Sequence, residues 1–133
     1  MACNSLDDSY SRYSSRTDPI VKGKQLNTIP TIAITLKLHA KQGMGDKLAQ
    51  FLVEAAEIVK ETEPETLYWF AVRNDEDSFT INDGFASESA VEAHFCGKLA
   101  ASLKANADEL IEGGWDDGIL PNVVKSQILS IIQ

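Results

Sequence analysis

His94 and Asp83 are the side chains whose chemistry stands out in this sequence of 133 residues. His94 lies on a predicted helix face shared with Ala90 and Val91, at spacings of four and three. A histidine in such a place can act as a general base that removes the proton of a phenol or quinol. Asp83 could orient His94 or bind a substrate hydroxyl. The alternative is structural: His94 bonded to a backbone carbonyl or to Asp83, and merely fixing the helix to the sheet.

Five further side chains could line a flat pocket for an aromatic molecule. Four of them would contact the ring and one, an asparagine, would donate a hydrogen bond to a ligand carbonyl; they are Trp69, Phe85, Tyr68, Phe95 and Asn82. Aromatic residues in strands more often belong to an ordinary core. The residues alone therefore leave both interpretations open.

Metal and cofactor sites are not predicted. His39 and His94 have no acidic residues at the spacing of a metal motif. Cys96 follows His94 by two positions, and residues two apart on a helix do not face each other. No phosphate-binding glycine loop, dinucleotide fingerprint or serine nucleophile elbow is present. The segment 115–118 is an acidic loop that could act as a lid, although an exposed connector is the simpler interpretation.

The elements that must position these side chains follow from the hydrophobic pattern. Alternating and periodic apolar residues predict a strand at 32–39 and a helix at 46–63. Two strands at 66–73 and 78–85, joined by a hairpin, follow, and then a second helical region at 88–111 and a last strand at 123–132. Glycines and prolines lie mostly at the boundaries, and Gly84 inside the third strand indicates a bulge or a close approach by another group. This order is that of the ferredoxin-like β-α-β-β-α-β fold, an α+β sandwich with helices on one face of the sheet.

Composition limits the class of protein and its partners. Residues 1–29 are polar and aperiodic, which predicts a flexible extension before a domain at 30–133. The net charge of -8 argues against nucleic acid and anionic membranes as partners. No run approaches the ~20 apolar residues of a membrane span. With two cysteines there is no disulfide framework, so we expect a reducing, cytoplasmic setting.

A homodimer is predicted from the sheet itself. The second and fourth strands are apolar on both faces, and such strands need cover on both faces. Helices can cover one face, and a second copy of the same sheet can cover the other through a two-fold axis.

The chain resembles the antibiotic biosynthesis monooxygenase domain family across residues 31–132. The resemblance rests on the glycine turn at 42–46, on Glu63-Pro64-Glu65 after the first helix, and on Asp83, Phe85 and His94. It implies a dimeric α+β barrel with a pocket between sheet and helices in each subunit. The chain departs from the usual Glu-Pro-Gly and from the frequent Glu-x-Trp of the third strand.

The family includes cofactor-free monooxygenases of quinols and aromatic polyketides, typical of secondary metabolism. It also includes haem-degrading enzymes, whose Asn, Trp and His trio is represented here by His94 alone, so haem is not expected. The resemblance therefore implies a cofactor-free monooxygenase with His94 as general base. The alternatives are a non-catalytic barrel that binds a small hydrophobic ligand, and a cyclase or isomerase that uses the same pocket.

Overall fold

The computed structural model describes residues 28–133, and the predicted extension lies almost entirely outside the described residues. Its domain boundary therefore stays a prediction. The described residues form four strands and three α-helices, with two short helical turns before the last strand: β1 (Ile32–His39), α1 (Gly45–Thr62), β2 (Tyr68–Arg73), β3 (Ser78–Phe85), α2 (Glu88–Phe95), α3 (Lys98–Leu110), a π-helical turn (Gly114–Ile119), a 3-10 turn (Leu120–Asn122) and β4 (Val123–Gln127).

The sheet has the order β2-β3-β1-β4, and every neighbouring pair of strands is antiparallel. This is the strand order of the ferredoxin-like fold, which connects β1 to β2 and β3 to β4 through helices. The predicted α+β class and element order are confirmed.

The core lies between the helices and one face of the sheet. Residues of β1 alternate between the two faces, so Leu36 and Leu38 point towards the helices and are buried. Phe79 and Ile81 of β3 are their register partners, so they share that face and are buried as well. These side chains form one cluster with apolar residues of α1 and α3, which fixes the helices over the sheet.

The opposite face of the sheet carries exposed apolar side chains. Phe70 and Val72 of β2 are 50% and 40% exposed, and Val124 of β4 is 54% exposed. Tyr68 lies on this face across Gly84, because a Cβ atom built on Gly84 would be 2.1 Å from Cε2 of Tyr68. The close approach predicted at Gly84 is therefore an aromatic ring on the neighbouring strand.

Two predicted boundaries and one predicted loop were wrong. The last strand ends at Gln127 rather than at residue 132, because its ladder partner in β1 at that point is Ile32, the first residue of that strand. β2 begins at Tyr68, two residues later than predicted. The predicted loop after the double glycine is a π-helical turn, which begins directly after Gly113 in a left-handed conformation with φ of 82°.

Candidate functional site

His94 lies between two carboxylates that come from different elements. Its Nδ1 is 2.6 Å from Oε1 of Glu63, and its Nε2 is 3.0 Å from Oδ2 of Asp83. When both ring nitrogens carry protons, each donates to one carboxylate. We call these three residues the carboxylate–imidazole chain.

Local structure explains how each member reaches this place. Asp83 lies on the helix side of β3 because it alternates with Asn82 along the strand. His94 lies in the last turn of α2. Ser87 is the N-cap of this helix, because its Oγ accepts a hydrogen bond from the backbone N–H of Ala90. A positive charge in the last turn of a helix is favoured by the helix dipole.

Glu63 is the first residue after α1, and its backbone N–H still donates to a carbonyl of that helix. Its Oε1 accepts a second hydrogen bond, from Oγ1 of Thr66 at 2.8 Å. Gly97 leaves room for the carboxylate, since a Cβ there would come within 3.1 Å of Oε2 of Glu63. The hydrogen bonds with His94 and Thr66 and the space beside Gly97 therefore determine where this carboxylate lies.

The carboxylate–imidazole chain is buried, and burial shifts the pKa values of its members. Asp83 is 1% exposed, His94 8% and Glu63 9%. Burial alone would lower the pKa of His94, but the hydrogen bonds and charges of Asp83 and Glu63 outweigh it and raise the pKa to about 9. Burial raises the pKa of Asp83 above its ordinary value, despite the opposing hydrogen bond from His94. At pH 7, therefore, His94 is an imidazolium.

A small cavity lies beside Asp83 and His94 on the helix side of the sheet, with a volume of about 40 Å³. Trp69 and Phe95, two of the predicted pocket residues, line it together with Trp115 of the π-helical turn. Phe85 is fully buried and packs against the imidazole, with ring centroids 5.2 Å apart. The structure thus brings five of the seven predicted site residues together.

The other two predicted pocket residues lie elsewhere. Asn82 and Tyr68 lie on the opposite face of the sheet from His94, because each is one position from a residue that faces the helices. Tyr68 packs against Phe70 there, with ring centroids 6.1 Å apart. His39 ends β1 and lies 3.2 Å from Oγ of Ser78, outside the site.

Glu63 was not among the predicted site residues. Its signal in the sequence was the first position of Glu63-Pro64-Glu65, where the chain keeps the glutamate of the family's Glu-Pro-Gly pattern.

Among residues 28–133, no group of three or more histidine, cysteine, aspartate or glutamate side chains could hold a metal ion. Within the same residues, the helices are too short or too polar to cross a membrane. Cys96 is disulfide-bonded, a state that is rare in reducing compartments, and the cytoplasmic location stays a prediction.

Comparisons with known proteins identify the fold. The crystal structure of the NE2512 protein of unknown function from Nitrosomonas europaea is 31% identical and superposes with a TM-score of 0.71, covering 80% of this chain and 96% of that protein. The “putative antibiotic biosynthesis monooxygenase” of Chloroflexus aurantiacus is 18% identical, with a TM-score of 0.60 over 77% of this chain and 97% of that one. A protein of the same description from Bacteroides thetaiotaomicron is 16% identical, with a TM-score of 0.59 over 77% and 91%.

This chain has the fold of the solved structures described as putative antibiotic biosynthesis monooxygenases. The predicted resemblance is confirmed at this level. No protein-family model matches the chain, and no curated protein matches it significantly. Because the more similar relative has no known function and the others are below 25% identity, the comparisons show the fold and not the reaction.

The three residues that carried the resemblance meet in space. Asp83 bonds to His94, and Phe85 packs on its ring. The carboxylate–imidazole chain adds Glu63 to them. This arrangement can hold, accept and release a proton at a buried position beside a cavity.

Proposed function

We propose that this protein is a cofactor-independent monooxygenase-like enzyme that removes the proton of a hydroxylated aromatic, quinol or polyketide-type molecule. The observation that carries the proposal is the buried carboxylate–imidazole chain, which ends at a cavity with Oδ1 of Asp83 free of hydrogen bonds among the described residues. An enclosed acid–base group of this kind is typical of a catalytic site rather than of a surface ion pair.

The acid–base roles that we propose within the carboxylate–imidazole chain differ from those predicted. His94 was expected to accept the proton, but with a pKa of about 9 it already carries one at pH 7. The proton acceptor that we propose is Asp83, whose pKa is raised by burial and which is therefore a stronger base than an exposed carboxylate. His94 holds the carboxylate in place, and Glu63 keeps the imidazole charged.

The proposed reaction balances with dioxygen as the second substrate. The substrate O–H bond breaks, its proton passes to Asp83, and the electron pair stays on the substrate oxygen. The resulting electron-rich anion then reacts with dioxygen: a carbon–oxygen bond forms, and the peroxide takes back the proton from Asp83. The O–O bond and the C–H bond at that carbon then break with loss of one water molecule, which leaves one oxygen atom on the oxidised ring. A neutral substrate suits this site, because one imidazolium between two carboxylates leaves the chain with an excess of negative charge.

Oxygen consumption with a panel of anthrones and hydroquinones tests the proposal. We expect Asp83→Asn, which keeps the shape but removes the base, to lower kcat by about 100-fold or more. Asp46→Asn is the matched control, since Asp46 forms an exposed ion pair with Arg73. Equal rates for Asp83→Asn and the wild type would exclude Asp83 as the base.

A second candidate function is a non-catalytic barrel that binds a small hydrophobic ligand. The cavity volume of about 40 Å³ favours a non-catalytic role, because pockets that enclose drug-sized ligands have about 300–1,000 Å³, and it limits such a barrel to a ligand much smaller than those. A cyclase or isomerase would use the same base without dioxygen. Substrate turnover under anaerobic conditions would indicate the cyclase or isomerase, and ligand binding without any turnover would indicate the non-catalytic barrel.

We also propose that the protein is a homodimer. The support is the exposed apolar face of the sheet, with Phe70, Val72 and Val124 on the side away from the helices. Leu129 and Ile132, after β4, are 87% and 96% exposed and extend the apolar surface at the end of the chain. A second copy packed on this face would remove these side chains from water.

A further inference from the structure

The cavity beside Asp83 has room for a group the size of one water molecule. Its volume of about 40 Å³ exceeds the ~10–15 Å³ that a cavity needs to hold a water molecule. Asp83 and His94 form its buried side. We call the side formed by its half-buried lining residues, which are Trp69, Phe95, Trp115 and Val123, the mouth of the cavity.

Two polar atoms at this cavity lack hydrogen-bond partners among residues 28–133. One is a donor, Nε1 of Trp69, and the other is an acceptor, Oδ1 of Asp83. Trp69 and Asp83 are register partners on β2 and β3, so both side chains leave the sheet on the helix side and at the same level. Burying either atom without a partner costs free energy.

The ligand that satisfies both atoms must accept one hydrogen bond and donate another. A carbonyl group would satisfy Trp69 but would leave the carboxylate facing a second oxygen. An ammonium ion would satisfy Asp83 but could not accept the indole N–H. Water and the hydroxyl group satisfy both, and of the molecules that carry such a group water fits within about 40 Å³ as a whole.

We propose that this cavity binds one water molecule between Trp69 and Asp83, and that this water carries the proton from a substrate at the mouth to Asp83. The proton transfer through this water rests on the proposed function, whereas the binding of the water does not. The substrate O–H bond breaks as a new O–H bond forms on the water, while another O–H bond of the water breaks and its proton passes to Oδ1 of Asp83. The water is regenerated, the substrate leaves as an anion, and Trp69 is a positioning residue that holds the water oxygen.

Trp69→Phe tests the binding half, because it keeps an aromatic ring and removes the indole N–H. In the wild type we expect a crystal structure at high resolution to show one ordered water within hydrogen-bond distance of Nε1 of Trp69 and Oδ1 of Asp83. An NMR cross-peak between the Trp69 indole proton and a long-lived water should accompany it. The matched control is Trp115→Phe, which changes the other tryptophan of the cavity and should keep the water.

An empty or collapsed cavity in the wild type, or an indole N–H bonded to another residue, would overturn the binding half. The outcome for the proposed function is separate, since the water can be present in a protein that consumes no oxygen. If oxygen is consumed, Trp69→Phe should lower kcat by about tenfold with little change in KM. An unchanged kcat would remove the water from the proton path, and a raised KM alone would make Trp69 a substrate contact.

Discussion

Glu63 and His94 are 31 positions apart in the chain, yet Oε1 of one lies 2.6 Å from Nδ1 of the other. The contact joins the end of α1 to the last turn of α2. Both elements also pack on the sheet, so the imidazole is held from the helix side by Glu63 and from the sheet side by Asp83. The site is thus a product of tertiary structure.

Stability should fall as the pH rises from about 6.5 to about 9. Folding raises the pKa of His94 from 6.5 to about 9, so the folded state binds the proton more tightly than the unfolded state. The stabilisation is fully present below pH 6.5 and is lost as the pH passes through about 9. Urea denaturation of the wild type and His94→Gln across this range measures it, and the variant should show a flatter profile.

His39→Gln is the matched control for that profile. His39 lies at the end of β1, where its Nδ1 is 3.2 Å from Oγ of Ser78, far from the carboxylate–imidazole chain in the sheet register. We expect this variant to keep the pH dependence of the wild type. A profile that is flat in the wild type, or that is flattened by His39→Gln, would show that the imidazolium of His94 does not stabilise the fold.

Glu63→Gln should destabilise the protein by about 1–3 kcal/mol at pH 7, because it replaces a charge-assisted hydrogen bond to His94 with a neutral one. It should also lower the pKa of His94, since one of the two charges that raise it is gone. Urea denaturation gives the first quantity and NMR titration the second. Glu61→Gln, on an exposed position of α1, should leave both unchanged; equal effects of the two variants would count against the carboxylate–imidazole chain.

Gly84→Ala should cost about 1–3 kcal/mol, because the new methyl group would collide with the ring of Tyr68. In a Tyr68→Ala background the collision is absent, so the same substitution should cost less by ~0.5 kcal/mol or more. A double-mutant cycle by urea denaturation measures the difference. Additive effects would mean that the ring does not restrict this position.

Light scattering at micromolar concentration should give a mass twice the 14.6 kDa of one chain. Phe70→Glu places a charge on the exposed apolar face and should shift the mass towards that of one chain. Ala101→Glu, on the exposed side of α3, should leave the mass unchanged. A wild-type mass of one chain at every concentration would contradict the homodimer.

The fold was predictable from the sequence because its signals are local. The alternation of Leu36 and Leu38 with polar residues gives β1, and Ser87 gives the start of α2. The end of β4 was not predictable. Its apolar residues continue to Ile132, but the strand continues only as far as β1 offers hydrogen bonds.

The site was predictable only in part. Asp83 and His94 are close in sequence, since one lies near the end of β3 and the other in the helix that follows it. Glu63 could not be placed beside His94 without the packing of α1 on the sheet. The protonation state of His94 was also beyond the sequence, because it depends on two carboxylates that only the fold brings together.

The protonation state of His94 tests the central claim most directly. In protein labelled with ¹⁵N at histidine, the account predicts that both ring nitrogens of His94 carry protons at pH 7 and that the ring titrates near pH 9. Both ring protons should exchange slowly with water, because each is buried in a hydrogen bond to a carboxylate. A neutral His94 at pH 7, titrating at or below 6.5, would contradict the buried carboxylate–imidazole chain and the role of Asp83 that follows from it.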